Sequence, residues 1–383
     1  MRGAFLFPVA SAILAAAACV LPRARRHWAD AMRAEMSNAE SGYAAFRFAL
    51  GCFSACVSDT LSTLIHEPPV SAGRKRSPMP IGDFPIRPRL FAIGCAAAAV
   101  ALGLVYLAVA GAPPRLMVVN ATALVIGLAG LALVLAATRH VRISAGIVSL
   151  MLGAVLMGVS LFGPVVEGAS RWVTVAGLAV QPSLIIVPVL LIYCARVRDG
   201  WAITGLMIAA IALALQPDRA MAGVMVAGIA ALSFAARDAK LLVPLALAAG
   251  AFAFTLTQPD HLPAVPYVDQ IAFTAFDVHV VAGLAVAAGL AWLVMPALAG
   301  LLADRTHGEA YIVFGAVWLA VVVAALLGNY PTPLVGYGAS AIIGYAVSLA
   351  GLPARGAQSS RARSETLQEA GGAGSDVLRL HHA

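Results

Sequence analysis

Charge is scarce in this sequence. Only 11% of its 383 residues are Asp, Glu, Lys or Arg, while 61% are hydrophobic, and a soluble domain carries about a quarter charged residues. The chain contains many apolar runs near the roughly 20 residues that a membrane-spanning helix needs. The composition therefore predicts an all-α, polytopic membrane protein rather than a soluble enzyme.

Paired cysteines and basic stretches interleaved with aromatics are also lacking. The five cysteines, an odd number, are Cys19, Cys52, Cys56, Cys95 and Cys194, and they predict small packing residues rather than a disulfide framework. Cys52 and Cys56 share one helical face, but no His or second Cys pair accompanies them as a metal site would require. The net charge of +7 is interpreted as cytoplasmic Lys and Arg beside a membrane, so no nucleic-acid partner is expected.

The N-terminal region, residues 1–66, differs from the rest. An apolar run at about 4–21 precedes an arginine cluster, the reverse of the order in a signal peptide, and predicts an uncleaved anchor. Residues about 24–66 place apolar side chains three and four apart, which is typical of an amphipathic helix. Two interpretations stay open: a helix lying on the cytoplasmic leaflet, or a helical hairpin packed on the rest of the protein. Arg47 and Asp59 make the second half of this stretch a poor span.

A proline-rich cytoplasmic linker, residues 67–89, precedes a predicted ten-span domain over 90–352. Lys and Arg are enriched in the loops after even-numbered spans, which places the linker, those loops and the C-terminal tail in the cytoplasm. The tail, residues 353–383, is predicted to be disordered. The spans are expected at about 90–112, 115–138, 143–163, 173–195, 199–215, 219–236, 240–257, 271–300, 309–328 and 334–352.

This topology collects ionisable residues on the extracytoplasmic side. Asp269, Asp218, Arg219, Glu167 and Arg171 all fall there without long soluble loops. Asp269 follows one long apolar span and precedes another, where a carboxylate is costly unless it faces water, a partner or a substrate. We therefore expect a functional site at this surface, with Asp269 handling a lipid-linked substrate.

Three motifs lie in loops on the same side. Each alone is explained by helix packing or by interfacial anchoring. Together, and in this order, they resemble the SEDS family of RodA, FtsW and SpoVE. The motifs are Gly168-Ala169-Ser170-Arg171-Trp172 with Gln181-Pro182-Ser183, then Gln216-Pro217-Asp218, then Pro333-Leu334-Val335-Gly336-Tyr337-Gly338-Ala339-Ser340.

The resemblance covers about residues 90–352. It implies a ten-span protein of the bacterial cytoplasmic membrane that polymerises peptidoglycan from lipid II beside a class B penicillin-binding protein. It also implies that Asp269, after Leu262-Pro263, is the catalytic aspartate. No bound cofactor is expected, although a divalent cation would suit the diphosphate. Substrate contacts are expected from Arg171, Arg219, Asp218, Gln181, Ser183, Asp277, Tyr337 and Ser340.

The chain departs from the family pattern at polar positions. The family Glu after Gln-Pro-Ser is Leu184 here, the Lys three residues later is Val187, and the second acid of the pair at Asp277 is Val278. A single buried charge left without its partner would be costly. Replacing both charges together avoids that cost. We expect the scaffold to be retained while part of the polar lining is lost.

Three functions remain in view. An active enzyme would join the 4-hydroxyl of an acceptor sugar to the anomeric carbon of a second lipid-linked chain, with Asp269 as general base and Arg171 and Arg219 near the departing undecaprenyl diphosphate. A catalytically degenerate scaffold or regulator of cell division or cell shape would recruit a partner through residues 1–89. A flippase is less favoured, because no internal repeat of the transporter kind is present.

Each candidate also has a simpler interpretation. Asp269 is alternatively a solvated loop carboxylate. Arg171 and Arg219 are alternatively side chains that snorkel to lipid phosphate. His261 and His279 are expected to pack in loops or at the interface.

Overall fold

The computed structural model describes residues 88–140, 144–166, 168–175, 177–259, 263–304 and 307–353, together with 27–39 and scattered positions at 7–14 and 41–55. The chain divides into two compact units between Pro85 and Ile86. The predicted linker and tail lie almost wholly outside the described residues, as do Glu167 and His261. The predicted domain limits therefore stay predictions.

The N-terminal unit contains helix α1, His27–Ser37. Met36 of α1 is buried, and it packs in one apolar cluster with Leu14 and Ala45 of the same unit. Trp28, in the first turn of α1, is 47% exposed. The apolar positions of α1 thus include one side that packs inside its own unit.

The second unit is built almost wholly of helices. A hairpin of β1, Val173–Val175, and β2, Leu178–Val180, pairs antiparallel with Val173 opposite Val180. Short 3₁₀ turns lie at Ala239–Leu241 and Leu349–Gly351. The helices are α2 (Pro88–Val109), α3 (Pro114–His140), α4 (Ala145–Phe162), α5 (Ser183–Cys194), α6 (Gly200–Leu215), α7 (Arg219–Ala236), α8 (Leu242–Thr257), α9 (Ile271–Val278), α10 (Val280–Ala303), α11 (Gly308–Leu327) and α12 (Ala339–Ser348).

The prediction of a polytopic helical membrane protein is confirmed. Within the described residues, 7 helices are long and apolar enough to cross a membrane, and three further apolar helices are shorter: Ser183–Cys194, Gly200–Leu215 and Ala339–Gly351. Ten helices of full spanning length are therefore not confirmed.

Two of the predicted spans were wrong in extent. The span expected at 173–195 begins with the β-hairpin, and its helix starts only at Ser183, because Gly177 turns the chain at a φ of 78°. The span expected at 271–300 is interrupted at His279, whose backbone is extended at φ −168° and ψ 144°. The His279 Nδ1 accepts the Val281 N–H at 3.1 Å and caps α10. The stretch expected as one span thus folds as two helices.

Polar side chains at the loop boundaries set where several helices begin. Ser144 accepts the Gly146 N–H at 3.2 Å at the start of α4, and Asp199 accepts the Ala202 N–H at 2.8 Å at the start of α6. Such caps satisfy amide groups that have no partner within the helix. They explain why α6 begins one residue after Asp199.

Helix α5 lies at the centre of the second unit. Almost all of its residues are buried, and it contacts α4, α6, α7, α11 and α12. Pro188 within α5 removes one backbone donor, which is tolerated where neighbouring helices surround the segment. Beside α5, the fully buried Trp318 and Tyr345 rings lie 4.8 Å apart between centroids. The centre of the bundle is therefore formed mainly by closely packed apolar side chains.

Helices α4 and α6 approach each other at glycines. A Cβ added at Gly205 would meet the backbone of Ser149 at under 3.0 Å, and backbone cannot move aside as the end of a flexible side chain can. We expect Gly205→Ala to lower the free energy of unfolding by about 1–3 kcal/mol, measured by thermal or denaturant unfolding in detergent.

Gly250→Ala in α8 is the matched control. A Cβ at Gly250 meets nothing within 4 Å, so helix propensity alone predicts a gain of about 0.5–1 kcal/mol. Equal stability of the two variants would contradict the close packing of α4 on α6.

Candidate functional site

The second and third motifs and Asp269 lie at one end of the helical bundle. Asp218 lies between α6 and α7, Asp269 between α8 and α9, and Ser340 in the first turn of α12. Because these helices run up and down in turn, all three loops emerge on the same side; this end is called the motif end. The opposite end carries an ion pair of Arg198 with Glu309 at 2.5 Å.

A buried carboxylate organises one half of the motif end. Asp218 is fully buried, and its Oδ2 accepts hydrogen bonds from Gln181 Nε2 at 3.0 Å and from Ser183 Oγ at 2.6 Å. Its Oδ1 accepts the Met221 N–H at 3.2 Å and so caps α7. The Gln181 N–H donates to Ser340 Oγ at 2.8 Å. Gln181, Ser183, Asp218 and Ser340, four of the predicted site residues, thus form one group, called the Asp218 cluster.

Arg171 lies against the same motif. It is only 3% exposed, and its guanidinium donates a hydrogen bond to the Pro217 carbonyl. The guanidinium carbon is 6.0 Å from the centroid of the Trp172 ring. A buried cation bound to the residue before Asp218 places positive charge beside the cluster. This is not the geometry of an arginine that snorkels to lipid phosphate.

Arg219 turns to a different neighbour. Its Nη2 donates to the Thr255 carbonyl at 3.3 Å and to the Gln258 carbonyl at 3.0 Å. These are carbonyls at the C-terminal end of α8, where a helix dipole favours a cation. Arg219 therefore joins α7 to α8 at the motif end.

Asp269 is buried in the loop between α8 and α9. The residue is 8% exposed, and its Oδ2 accepts the Val265 N–H at 2.8 Å. Burial raises the pKa of the Asp269 carboxyl above its ordinary value, because desolvation penalises the anion, and the Val265 hydrogen bond opposes that rise. Asp269 is thus not a carboxylate in bulk solvent, and it has no ion pair among the residues that the structure describes.

The third motif holds the loop that carries Asp269. Asp269 pairs with Pro331 in an antiparallel bridge, and the Tyr337 N–H donates to the Tyr267 carbonyl at 2.7 Å. Gln270 Nε2 donates to Asn329 Oδ1 at 2.7 Å. The segments 263–270 and 329–338 are therefore one paired unit.

Left-handed backbone is concentrated in these two segments. Tyr267, Gln270 and Leu334 have φ values of 65°, 54° and 61°, in a region that costs a residue with a side chain about 1–2 kcal/mol. Such conformations persist only where the surrounding structure enforces them, and they are frequent at functional sites. The strain lies around Asp269.

The remaining predicted residues are less engaged. Asp277 is exposed on α9. Tyr337 is half-buried and packs against an apolar cluster that includes Tyr106 and Leu107 of α2. Asp277 does not belong to the Asp218 cluster, whereas Tyr337 connects to the Asp269 loop through its backbone.

Asn120 of α3 is a site residue that the sequence interpretation missed. It is fully buried; its Nδ2 donates to the Gly336 carbonyl at 2.9 Å, and its Oδ1 accepts the Gly338 N–H at 3.2 Å. A lone amide within an apolar span was the available signal, because such groups are costly without partners.

A small cavity lies between the Asp218 cluster and the segment that pairs with Asp269. Its lining includes Gln181 and Leu184 on one side and Tyr330 and Pro331 on the other, and its volume is about 20 Å³. That is close to the space of one water molecule. Leu184 and Val187 are both buried, so apolar side chains stand where the family pattern carries Glu and Lys.

No family model matches the chain, and no curated protein matches it. Among solved structures, matches are found to RodA, a rod-shape-determining protein of Thermus thermophilus. An Asp-to-Ala variant of RodA is 25% identical, with 68% of this chain and 94% of that chain covered and a TM-score of 0.46.

The chain is similar to RodA. The unsubstituted RodA structure is 23% identical, covers 68% of this chain and 93% of its own, and also has a TM-score of 0.46.

Proposed function

We propose that the chain is a SEDS-type peptidoglycan glycosyltransferase of the bacterial cytoplasmic membrane, acting on lipid II with Asp269 as general base. The observation that supports this most is the state of Asp269, which is 8% exposed and lies in a loop paired with segment 329–338. A sugar hydroxyl is a weak nucleophile at neutral pH and needs a base within hydrogen-bond reach. A carboxylate whose pKa is raised by burial is a stronger base than one in water.

Positive charge at the motif end would stabilise a departing diphosphate. Arg171 is buried beside Asp218 and Arg219 lies at the end of α8, so both contribute fixed positive charge where an anion would leave. Their guanidinium groups bind backbone carbonyls, so in this proposal they shape the local potential. Among the residues described, no group of three or more His, Cys, Asp or Glu side chains could hold a metal ion, and no step of the proposal requires one.

The proposed partners are lipid II, the surrounding membrane lipids and a class B penicillin-binding protein. The test is polymerisation of lipid II by the purified full chain with such a partner, read as glycan length. Polymer from the wild type and none from Asp269→Asn is the expected result. Asp30→Asn is the matched control, because Asp30 is an exposed acid of α1. Equal polymer from wild type and Asp269→Asn would remove the mechanism.

A second function, a catalytically degenerate scaffold of cell shape or division, is favoured by a different observation. Leu184 lines the small cavity and Val187 is fully buried, and residues up to Pro85 form a compact unit of their own. A scaffold would bind its envelope partner through that unit and would polymerise nothing.

Deletion of residues 1–85 separates the two functions. The deletion stops before Arg89, because Arg89 donates to the Leu349 and Ala350 carbonyls at 3.2 and 3.1 Å and its loss would disturb the bundle. A scaffold loses partner binding or localisation on deletion, with no polymer from either form. A polymerase retains glycan synthesis in the truncated protein.

A further inference from the structure

Asn120 directs both halves of its amide to one loop. Its Nδ2 donates to the Gly336 carbonyl at 2.9 Å, and its Oδ1 accepts the Gly338 N–H at 3.2 Å. An amide buried in an apolar span is costly unless its donor and acceptor are satisfied. Here both are satisfied by the residues that flank Tyr337, so the amide holds the loop at two points.

The held loop connects the two halves of the motif end. Tyr337 donates its N–H to the carbonyl of Tyr267 at 2.7 Å, and Tyr267 lies two residues before Asp269. Ser340, two residues after Gly338, accepts the Gln181 N–H at 2.8 Å. One segment, 331–340, therefore contacts both the Asp269 loop and the Asp218 cluster.

The same segment does not hold its shape by itself. Leu334 has a left-handed backbone at φ 61°. At Gly336 an added Cβ would meet the Thr332 and Val268 carbonyl oxygens at 2.9 and 3.1 Å. A strained and tightly placed loop needs contacts from outside itself, and Asn120 supplies two of them from α3.

We infer that Asn120 is a positioning residue for the proposed glycosyl transfer, and that its amide clamps segment 331–340 so that Asp269 is held in place. The inference rests on the proposed function for its catalytic meaning. The clamp itself is a property of the backbone and is measurable without turnover.

Hydrogen–deuterium exchange of the full chain in detergent tests the clamp. In Asn120→Leu, which keeps the branched shape of the side chain and removes both hydrogen bonds, exchange in 331–340 and 263–270 is expected to be about tenfold to a hundredfold faster. Exchange elsewhere in the bundle is expected to stay unchanged. Ser149→Ala is the matched control, because Ser149 is a buried polar residue whose hydroxyl donates within its own helix to Ala145.

Asn120→Asp gives a second variant that reports through pH. A protonated carboxyl can donate to Gly336 and accept from Gly338, whereas a carboxylate can only accept, and burial raises the pKa of a carboxyl at this site. At about pH 5, segments 331–340 and 263–270 of this variant are therefore expected to exchange as slowly as those of the wild type at the same pH. At about pH 8 they are expected to exchange faster than the wild type. This comparison decides the inference even where Asn120→Leu does not fold.

Three results would overturn the clamp: unchanged exchange in both segments, a uniform rise over the whole bundle, or Asn120→Asp protection that does not depend on pH. In the polymerisation assay the variants should lower kcat with little change in KM, because Asn120 is fully buried and both halves of its amide are bound to the loop. A wild type that makes no polymer would refute the proposed function, while the exchange data would still decide the clamp.

Discussion

Asp269→Asn is expected to lower lipid II polymerisation by about 10²–10⁴-fold, the usual contribution of a general base. The amide keeps the size of the carboxyl and its oxygen can still accept the Val265 N–H, which Asp269 accepts at 2.8 Å. Only the ability to take a proton is lost. The measurement is the initial rate of glycan formation for wild type and variant at equal protein concentration.

The same substitution is expected to leave the fold at least as stable as the wild type at neutral pH. Burial raises the folded-state pKa of Asp269, so the protonated form is favoured on folding. That contribution is fully present below the pKa of the unfolded chain, and it is lost as the pH rises through the folded pKa. The charged form is therefore the less stable one at neutral pH, and the neutral amide removes that cost.

A pH series joins these two expectations. The rate of the wild type should fall as the pH drops through the raised pKa of Asp269, because a general base must be deprotonated. The difference in unfolding midpoint between Asp269→Asn and wild type should be larger at about pH 8 than at about pH 4. A variant that is both inactive and strongly destabilised at neutral pH would show that Asp269 is structural.

Asp218→Ala is expected to cause the largest loss of stability among single substitutions at the motif end. Asp218 is fully buried and accepts hydrogen bonds from Gln181, Ser183 and the Met221 N–H. Alanine removes the acceptor of three hydrogen bonds in a site away from water, and a hydrogen bond to a charged group is worth about 1.5–3 kcal/mol. A loss of about 3 kcal/mol or more in the free energy of unfolding follows.

Asp199→Ala provides the matched control for that loss. Asp199 also caps a helix, accepting the Ala202 N–H at 2.8 Å, but it is only partly buried. Loss of such a cap costs about 1 kcal/mol. Similar losses for the two alanine variants in denaturant unfolding would show that the Asp218 cluster is not a hydrogen-bonded unit in solution.

The fold class could be predicted because it follows from composition. A chain with 61% hydrophobic and 11% charged residues has too few charged side chains to form the water-exposed surface of a soluble protein. The break at His279 was not predicted, because the apolar residues on both sides of Asp277 and His279 together have the length of one span, and the extended backbone depends on the cap on Val281. The hairpin before α5 was missed for a similar reason, since Val173–Val175 and Leu178–Val180 are as apolar as a span.

The sequence allowed most residues of the site to be predicted, but not the contacts between them. Gln181, Ser183, Asp218 and Ser340 stand in the motifs, yet their assembly around one carboxylate depends on the packing of α5, α7 and α12. Asn120 lies 216 residues from Gly336, so nothing local in its sequence indicates which loop it holds. The direction of Arg219 toward the end of α8 likewise depends on where two helices meet.

Helix α5 has a consequence for how deep the motif end reaches. It has 12 residues and is about 18 Å long at 1.5 Å per residue, whereas a bilayer's hydrocarbon layer is about 30 Å thick. The β-hairpin directly precedes α5, and non-helical backbone within the membrane is stable only where protein or water surrounds it. The protein therefore sets where water ends and the apolar interior begins at the motif end, and this boundary lies below the lipid headgroups. Bilayers with longer acyl chains should leave the hydration of the motif end unchanged.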